Sequence, residues 1–197
     1  DPEKHLERMR HAYGTEIEYM DAHIGAFLDG VRERGLYDDA VILFTSDHGE
    51  EFYEHQGWWH GQTLYDEVIQ VPLMLRLPGG VMAGQTNADF ARHIDLAPTM
   101  MGLAGLPAPG EMPGIALLDH GTFTNAVTGH VYAENDFEGI VLQAVRTRTE
   151  KLIAANDNLD TANGFDIMSI FRDVFNEWFV ADTSKKIRAV FKAKAQN

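Results

Sequence analysis

Residues 40–50 read AVILFTSDHGE and contain the feature that decides the fold, an apolar run that ends abruptly in polar side chains. The run has the length of a strand, and its lack of alternation is typical of a strand covered on both faces, as in a parallel sheet backed by helices. We therefore predict a sheet strand over residues 40–47, with Asp47 and His48 at its carboxyl end. Open α/β sheets bind their ligands at that end.

Helical and strand patterns surround this run. Upstream, apolar residues at spacings of three and four predict a long amphipathic helix over residues 6–31, which ends near Gly35. Downstream, residues 71–78 predict a second strand, and Asp95 is the predicted N-cap of another helix. Further strands are predicted at residues 130–133, 140–145 and 151–154, and amphipathic helices at residues 167–179 and 187–191.

The order of these elements predicts the fold class and the domains. Helix and strand alternate in the first half of the chain, whereas strands follow one another in the second half before a helical end. This order is typical of an α/β core with a small antiparallel appendage. We expect the core to span residues 1–125, and a small antiparallel sheet with C-terminal helices to span residues 126–197.

Composition and charge argue against several classes of partner. The 197 residues carry a net charge of −14, and five basic residues lie in the stretch 184–197, which holds no acid. An acidic body repels phosphate backbones, so we expect no nucleic-acid partner. The apolar runs fall far short of the ~20 residues that cross a bilayer, so we expect no membrane span in this chain. Because there is no cysteine, any metal must be bound by His, Asp or Glu.

Asp47 and His48 are adjacent side chains of the kind that bind metal. An aspartate oxygen and a histidine nitrogen from one short turn suit a divalent cation, and Gly49 lets the backbone bend sharply beneath them. By itself, the sequence Asp-His-Gly is as consistent with a structural turn as with a metal site. The surroundings favour the metal site, because His60 follows twelve residues later and His55 lies between.

A longer set of motifs continues from this pair. It comprises SDHGE at 46–50, HG at 60–61, YDE at 65–67, VPL at 71–73, PG at 78–79 and DLAPT at 95–99. Together these motifs closely resemble the C-terminal half of sulfatases in the alkaline phosphatase superfamily. The resemblance runs from about residue 13 to residue 106 and resumes weakly at residues 132–134 and 143–147. It implies an α/β fold with an alkaline phosphatase-like sheet flanked by helices, incomplete here, and a small antiparallel C-terminal subdomain.

The resemblance also implies roles for single residues. In the family, the residues that match Asp47 and His48 bind metal, and His60 matches a catalytic Lys or His that binds the sulfuryl or phosphoryl group. His55 is a second candidate for substrate binding, with a surface histidine as the alternative. The implied cofactor is one divalent ion, Ca²⁺, Mn²⁺ or Mg²⁺, with Zn²⁺ as a further candidate. The implied reaction is hydrolysis of an anionic sulfate ester, or of a phosphate or phosphonate ester.

The nucleophile of the family is not found in this sequence. It is usually a formylglycine made from Cys or Ser within a Cys/Ser-x-Pro-x-Arg motif, and none of the seven prolines lies in such a motif. We therefore expect the formylglycine, with further acidic metal ligands, in an N-terminal half that this chain lacks. We expect the chain alone to be inactive. The sequence shows no export signal, so cytoplasmic and periplasmic locations stay open, as does a homo-oligomer.

Two other interpretations of the motifs stay open. Residues 46–50, Glu54, Gly57 and residues 60–61 are also similar to phosphoethanolamine transferases of the same superfamily. A noncatalytic metal-binding or interaction module could share the fold as well. The sequence of residues 65–79 favours the hydrolase.

Several neighbours of the motifs have both a structural and a functional interpretation. Glu67 is either a partner of His60 or a loop cap. Trp58 and Trp59 could stack on a substrate ring, but we expect at least one of them to pack in the core. His93 is expected to begin a helix rather than to bind metal.

Overall fold

The computed structural model describes residues 2–107, 109–110, 112–119, 121–124, 127, 129–137 and 140–155. In chain order these residues form α1 (Pro2–Glu33), β1 (Ile42–Thr45), β2 (Glu51–Phe52), β3 (Trp58–Trp59), α2 (Asp66–Ile69), β4 (Leu73–Arg76), α3 (His93–Leu103), β5 (Leu118–Asp119), β6 (Thr122–Phe123), β7 (Val131–Phe137), β8 (Ile140–Arg146) and β9 (Lys151–Ala155). The sheets they form are small and antiparallel. This mixture of helices and small sheets confirms the predicted incomplete α/β fold.

The first helix ends where the sequence predicts a stop. The amide of Gly35 donates to the carbonyl of Arg32 at 2.9 Å, and the amide of Leu36 donates to that of Val31 at 3.1 Å. Gly35 has a φ of 68°, the left-handed conformation in which helices commonly end and which glycine adopts at low cost. The pattern over residues 6–31 therefore predicts the helix and its end.

One part of α1 packs against the segment that follows β1. Tyr13 contacts Phe52 edge to face, with ring centroids 5.1 Å apart, and Arg10 pairs with Glu54 at 2.7 Å. Much of the apolar stripe has no such cover among the described residues, and Phe27 is 68% exposed. The helix therefore supports the loop of residues 51–58, while its later turns present apolar side chains to solvent.

The apolar run contains β1, which spans residues 42–45 and is shorter than the strand predicted over residues 40–47. Its described partner is β4. The two strands pair antiparallel, with Ile42 opposite Arg76 and Thr45 opposite Leu73. The strand prediction is confirmed, but the expected parallel neighbour is not found in the described part of the chain. All four residues of β1 are half-buried rather than buried. A continuous apolar run reports that both faces are apolar, and it does not fix the direction of the partner strand.

The helix predicted at Asp95 is α3, and it begins earlier than the sequence indicated. Its N-cap is Arg92, and Asp95 lies at the third helical position, fully buried. The Asp95 carboxylate accepts hydrogen bonds from the backbone amide and guanidinium of Arg92 and from the amide of Ile115. Asp95 therefore fixes the start of α3 from inside the helix instead of capping it.

The C-terminal sheet has the order β7-β8-β9 and is antiparallel, as predicted. Asp66 at the start of α2 pairs with Arg146 on β8 and, at 2.8 Å, with Lys151 on β9. These ion pairs dock the small sheet beside α2. The predicted boundary between residues 125 and 126, the C-terminal helices and the basic stretch 184–197 lie outside the described residues, so the two-domain division stays a prediction.

Candidate active site

A tight turn follows β1 and carries Asp47 and His48. The Ser46 hydroxyl donates to the His48 carbonyl at 2.6 Å, and the His48 amide donates to the Asp47 carboxylate at 3.0 Å. Nδ1 of His48 lies 2.8 Å from the Gly49 carbonyl, which can only accept, so Nδ1 carries the hydrogen. Nε2 therefore has a free lone pair, and it lies 3.7 Å from Oδ2 of Asp47. The turn thus presents one oxygen and one nitrogen ligand side by side, a donor set that suits a divalent cation.

Gly49 is required in this turn for a reason other than the one expected. Its amide donates to the carbonyl of Val68 at 2.7 Å, which brings the two backbones into close contact. A Cβ atom at position 49 would lie only 2.0 Å from the carbonyl oxygen of Glu67. The glycine therefore provides space for a backbone approach, and the turn is fastened to α2.

His60 lies against the same turn. Its ring stacks on the ring of His48, with centroids 3.8 Å apart and planes inclined by 25°. Nδ1 of His60 lies 3.2 Å from both carboxylate oxygens of Glu50, whose side chain is largely buried. An ionised carboxylate only accepts, so Nδ1 donates and Nε2 is left for another partner. The structure therefore brings Asp47, His48 and His60 together.

His55 belongs to a neighbouring pair. Its ring stacks on Tyr65 at 3.6 Å, and its Nδ1 lies 2.5 Å from the carboxylate of Glu67. Glu67 is thus the partner of His55, whereas the sequence suggested His60 or a loop cap. Because the Glu67 carbonyl borders Gly49, this pair adjoins the turn that carries Asp47.

Glu51 holds together the loop that carries His55 and leads to His60. It is 2% exposed, and its carboxylate accepts from the amides of His55 and Gly57 and from the hydroxyl of Thr63. A Cβ atom on Gly57 would lie 2.8 Å from both carboxylate oxygens, so any other residue there would displace the Glu51 carboxylate. Ligand atoms of Glu51, His55 and Glu67 all lie within 4.8 Å of one another. A carboxylate and histidine group that could hold a metal ion is therefore also present here.

The Asp47 carboxylate stays ionised at neutral pH. A hydrogen bond from its own backbone amide holds the pKa of the Asp47 carboxyl below its usual value. The group is open to solvent. An ionised, accessible carboxylate is the form that binds a cation.

The loop that carries His60 contains unusual backbone conformations. Tyr53, Gln56 and Trp59 have φ values of 71°, 67° and 72°, a region in which residues other than glycine are strained.

The two tryptophans of this loop differ in exposure. Trp58 packs against Tyr53, with ring centroids 5.4 Å apart, whereas Trp59 is 54% exposed. Trp58 is half-buried and does not belong to the buried core, so the expected core packing of a tryptophan is not seen in the described structure.

Sequence reasoning missed three residues near the turn. Glu50 stands inside the SDHGE motif, and its position beside a ligand pair was an available signal. Glu51 gave none, because a charged residue is rarely buried. His93 was assigned only to a helix start, yet its Nε2 lies 2.9 Å from the Ser46 carbonyl.

Comparisons with known proteins extend this description. The family model described as Sulfatase matches residues 1–106, and the model described as N-sulphoglucosamine sulphohydrolase, C-terminal, matches residues 54–195. The chain is 29% identical over 192 residues, 93% of its length, to an N-acetylglucosamine-6-O-sulfatase of Bacteroides thetaiotaomicron. The match covers 34% of that relative.

Solved structures share the fold. A structure in complex with its substrate, D-glucosamine-2-N,6-O-disulfate, superposes with a TM-score of 0.65 at 27% identity, over 73% of this chain and 31% of that one. The phosphonate monoester hydrolase of Agrobacterium radiobacter superposes with a TM-score of 0.57 at 21% identity, over 86% of this chain and 39% of that one. The chain thus spans about a third of the length of these proteins. The two family matches, with the shared fold, show that this chain belongs to the sulfatase family of the alkaline phosphatase superfamily.

Proposed function

We propose that this chain forms the metal-binding and anion-binding part of a sulfuric ester hydrolase. Asp47 and His48 are the proposed ligands of one divalent ion, and His60 is the proposed catalytic donor to the ester. The observation that carries this proposal is the stacking of His60 on His48 at 3.8 Å, since it sets a hydrogen-bond donor beside a ligand pair.

The donor set of the turn fits a divalent ion. The Asp47 carboxylate is ionised and open to solvent, and Nε2 of His48 has its lone pair free because Nδ1 donates to Gly49. When bound, the ion neutralises the anionic ester and stabilises charge that develops on its oxygens. Oxygen-rich sites favour Ca²⁺, Mg²⁺ or Mn²⁺, and the imidazole also admits Zn²⁺.

His60 and Glu50 act as a unit in this proposal. The Glu50 carboxylate accepts a hydrogen bond from Nδ1 of His60, which orients the ring. Nε2 of the imidazolium then donates a hydrogen bond to a nonbridging or leaving oxygen of the ester. Such donors act most strongly on oxygens that gain charge in the transition state.

The proposed site also needs groups that this chain does not contain. We propose that a formylglycine nucleophile and further carboxylate ligands are supplied from outside these 197 residues, because the sequence contains no Cys/Ser-x-Pro-x-Arg motif. His55, held by Glu67 and Tyr65, is the proposed second contact to substrate. The C-terminal part is proposed to be a separate small subdomain from residue 126 onwards.

The proposed substrate is a sulfated amino sugar. The support comes from the similarity to an N-acetylglucosamine-6-O-sulfatase and to a structure that binds a sulfated glucosamine. The fold alone is shared with a phosphonate monoester hydrolase, so phosphate and phosphonate esters are the competing substrates.

The test is an assay of the full-length protein with divalent metal. N-acetylglucosamine 6-sulfate, its 6-phosphate analogue and a phosphonate monoester are compared by the anion or alcohol released. We expect the highest kcat/KM for the sulfate, and a loss on the order of 10²–10³ in turnover for His60→Ala.

The control variant is His23→Ala, because in the described structure the His23 ring bonds to the Tyr19 carbonyl of its own exposed helical turn. It should keep wild-type turnover. Preference for the phosphate or phosphonate would move the enzyme to that branch of the superfamily, and full activity of His60→Ala would remove His60 from the site.

A further inference from the structure

His93 reaches the ligand turn from a distant element. It is the first residue of α3, and its Nε2 lies 2.9 Å from the carbonyl oxygen of Ser46, 47 residues earlier in the chain. A carbonyl can only accept, so Nε2 of His93 carries the hydrogen and donates it. The carbonyl it holds belongs to the peptide unit that leads into Asp47.

The bonds that hold the turn are of two kinds. The Gly49 amide donates to Val68 of α2, and His93 of α3 donates to Ser46, so these two bonds tie the turn to other elements. The His48 carbonyl accepts from the Ser46 hydroxyl, and the Gly49 carbonyl accepts from the His48 ring, so both bonds lie within the turn itself. The bond from His93 acts on the Ser46 carbonyl, at the opposite end of the turn from the bond between Gly49 and Val68. It therefore fixes the Ser46 peptide relative to the rest of the fold.

Asp47 depends on the backbone for its position. Its side chain is 88% exposed, and its described contacts are with the amide and ring of His48 inside the turn. Rotation of the peptide between Ser46 and Asp47 would swing the carboxylate away from Nε2 of His48. A bond to the Ser46 carbonyl opposes that rotation.

The element that carries His93 is firmly anchored. Asp95, two residues on, is fully buried and accepts from Arg92 and from the Ile115 amide. The Thr99 hydroxyl, one turn later, donates to the Asp95 carbonyl and accepts from the Leu117 amide. These bonds fix the start of α3, and with it the position of the His93 ring.

We infer that His93 is a positioning residue for the metal ligand Asp47. By donating to the Ser46 carbonyl, it holds the turn in the conformation in which the Asp47 and His48 ligand atoms face the same ion. This inference rests on the proposed metal site at Asp47 and His48. His93 does not contact the ion.

The test measures Mn²⁺ affinity of the 197-residue protein, from the free Mn²⁺ seen by electron paramagnetic resonance during a titration. Loss of a residue that orients a metal ligand without contacting the metal typically weakens metal binding by about 10- to 100-fold. We therefore expect His93→Ala to weaken Mn²⁺ binding about tenfold. His93→Gln should bind within about twofold of wild type, since its amide nitrogen reaches the place of Nε2. His93→Asn, whose amide reaches only the place of Nδ1, should resemble His93→Ala.

Two further measurements keep the outcomes distinct. Asp47→Ala should abolish the binding, and an unchanged affinity in that variant would overturn the metal site and the role of His93 with it. If Asp47→Ala no longer binds Mn²⁺ but His93→Ala binds it as tightly as wild type, only the role of His93 is overturned. Equal weakening by His93→Gln and His93→Ala would also overturn it. Thermal unfolding of each variant checks that the fold is intact, and ¹⁵N signals of the His93 ring should report hydrogen on Nε2.

Discussion

Three histidines near the turn use the same nitrogen for support. Nδ1 of His48 is held by the Gly49 carbonyl, Nδ1 of His60 by Glu50, and Nδ1 of His55 by Glu67. Each ring is thereby fixed in orientation with Nε2 left over. Metal-binding and catalytic histidines are commonly oriented in this way through the second nitrogen.

The first residue-scale prediction concerns Glu50. Glu50→Gln keeps the shape of the side chain but replaces the charged acceptor that orients His60 with a weaker neutral one. We expect kcat of the full-length protein to fall about tenfold or more, with little change in KM. Steady-state kinetics on the sulfate ester measures both. A raised KM at unchanged kcat would instead place Glu50 in ground-state binding.

The second concerns Gly49. A methyl group there would lie 2.0 Å from the Glu67 carbonyl, so Gly49→Ala must displace the turn or α2. We expect a loss of about 1–3 kcal/mol in the free energy of unfolding. Gly25→Ala is the matched control, because a Cβ atom there meets nothing within 4 Å and alanine favours a helix. Denaturant titration should show the control equal to or more stable than wild type, and an equally stable Gly49→Ala would contradict the close approach.

At the scale of elements, Asp66 joins α2 to the C-terminal sheet. Burial alone would raise its pKa, but the hydrogen bonds from Arg146 and Lys151 outweigh burial, so the pKa is lowered. A carboxyl whose pKa is lower when folded stabilises the fold above its unfolded value of about 3.9. That stabilisation is lost as pH falls through the folded pKa, below about 4.

The prediction is a pH-dependent effect of Asp66→Asn. The variant should be less stable than wild type at pH 7, by about 1 kcal/mol because solvent screens a partly exposed pair. The difference should shrink at a second pH well below the unfolded value of about 3.9, because the stabilisation is lost as pH falls through the lowered folded pKa. Thermal unfolding at both pH values measures it, with Asp29→Asn on the exposed face of α1 as the control. A difference that stays constant with pH would contradict the role of the ion pairs.

The sequence predicted which helices and strands form better than it predicted how they pair and contact one another. The period of α1 and the runs that became β1, β7, β8 and β9 are local signals, so their existence follows from residues close together in the chain. The partner of β1 and the approach of His93 to Ser46 depend on residues about 30 to 50 positions away. Asp47, His48 and His60 were selected as candidates because they lie in motifs, whereas the position of Glu51 depends on loop geometry that no pattern in the sequence reports.

At the scale of the whole molecule, much apolar surface is open. Tyr19 is 64% exposed and Phe27 68% exposed on α1, and Met74 is 59% exposed on β4. Among the described residues no helix is both long and apolar enough to cross a membrane. Contiguous exposed apolar faces usually mark surfaces that pack against other protein.

The lack of a nucleophile motif in the sequence gives a prediction for the 197-residue chain itself. We expect the purified 197-residue protein to hydrolyse sulfate and phosphate esters no faster than buffer with metal, because covalent catalysis needs a nucleophile. A sensitive aryl sulfate assay over Mn²⁺ and Ca²⁺ concentrations tests this. Saturable turnover that disappears in His60→Ala would show that the chain is a working enzyme by itself.

The central claim is that Asp47 and His48, rather than the nearby group of Glu51, His55 and Glu67, hold the metal. Nuclear magnetic resonance during a Mn²⁺ titration tests it most directly, because the paramagnetic ion broadens signals of the nuclei nearest to it. We predict that signals of Asp47 and His48 broaden first, and that Asp47→Asn removes this broadening. Broadening that begins at Glu51 and Glu67 and leaves Asp47 sharp would contradict the claim.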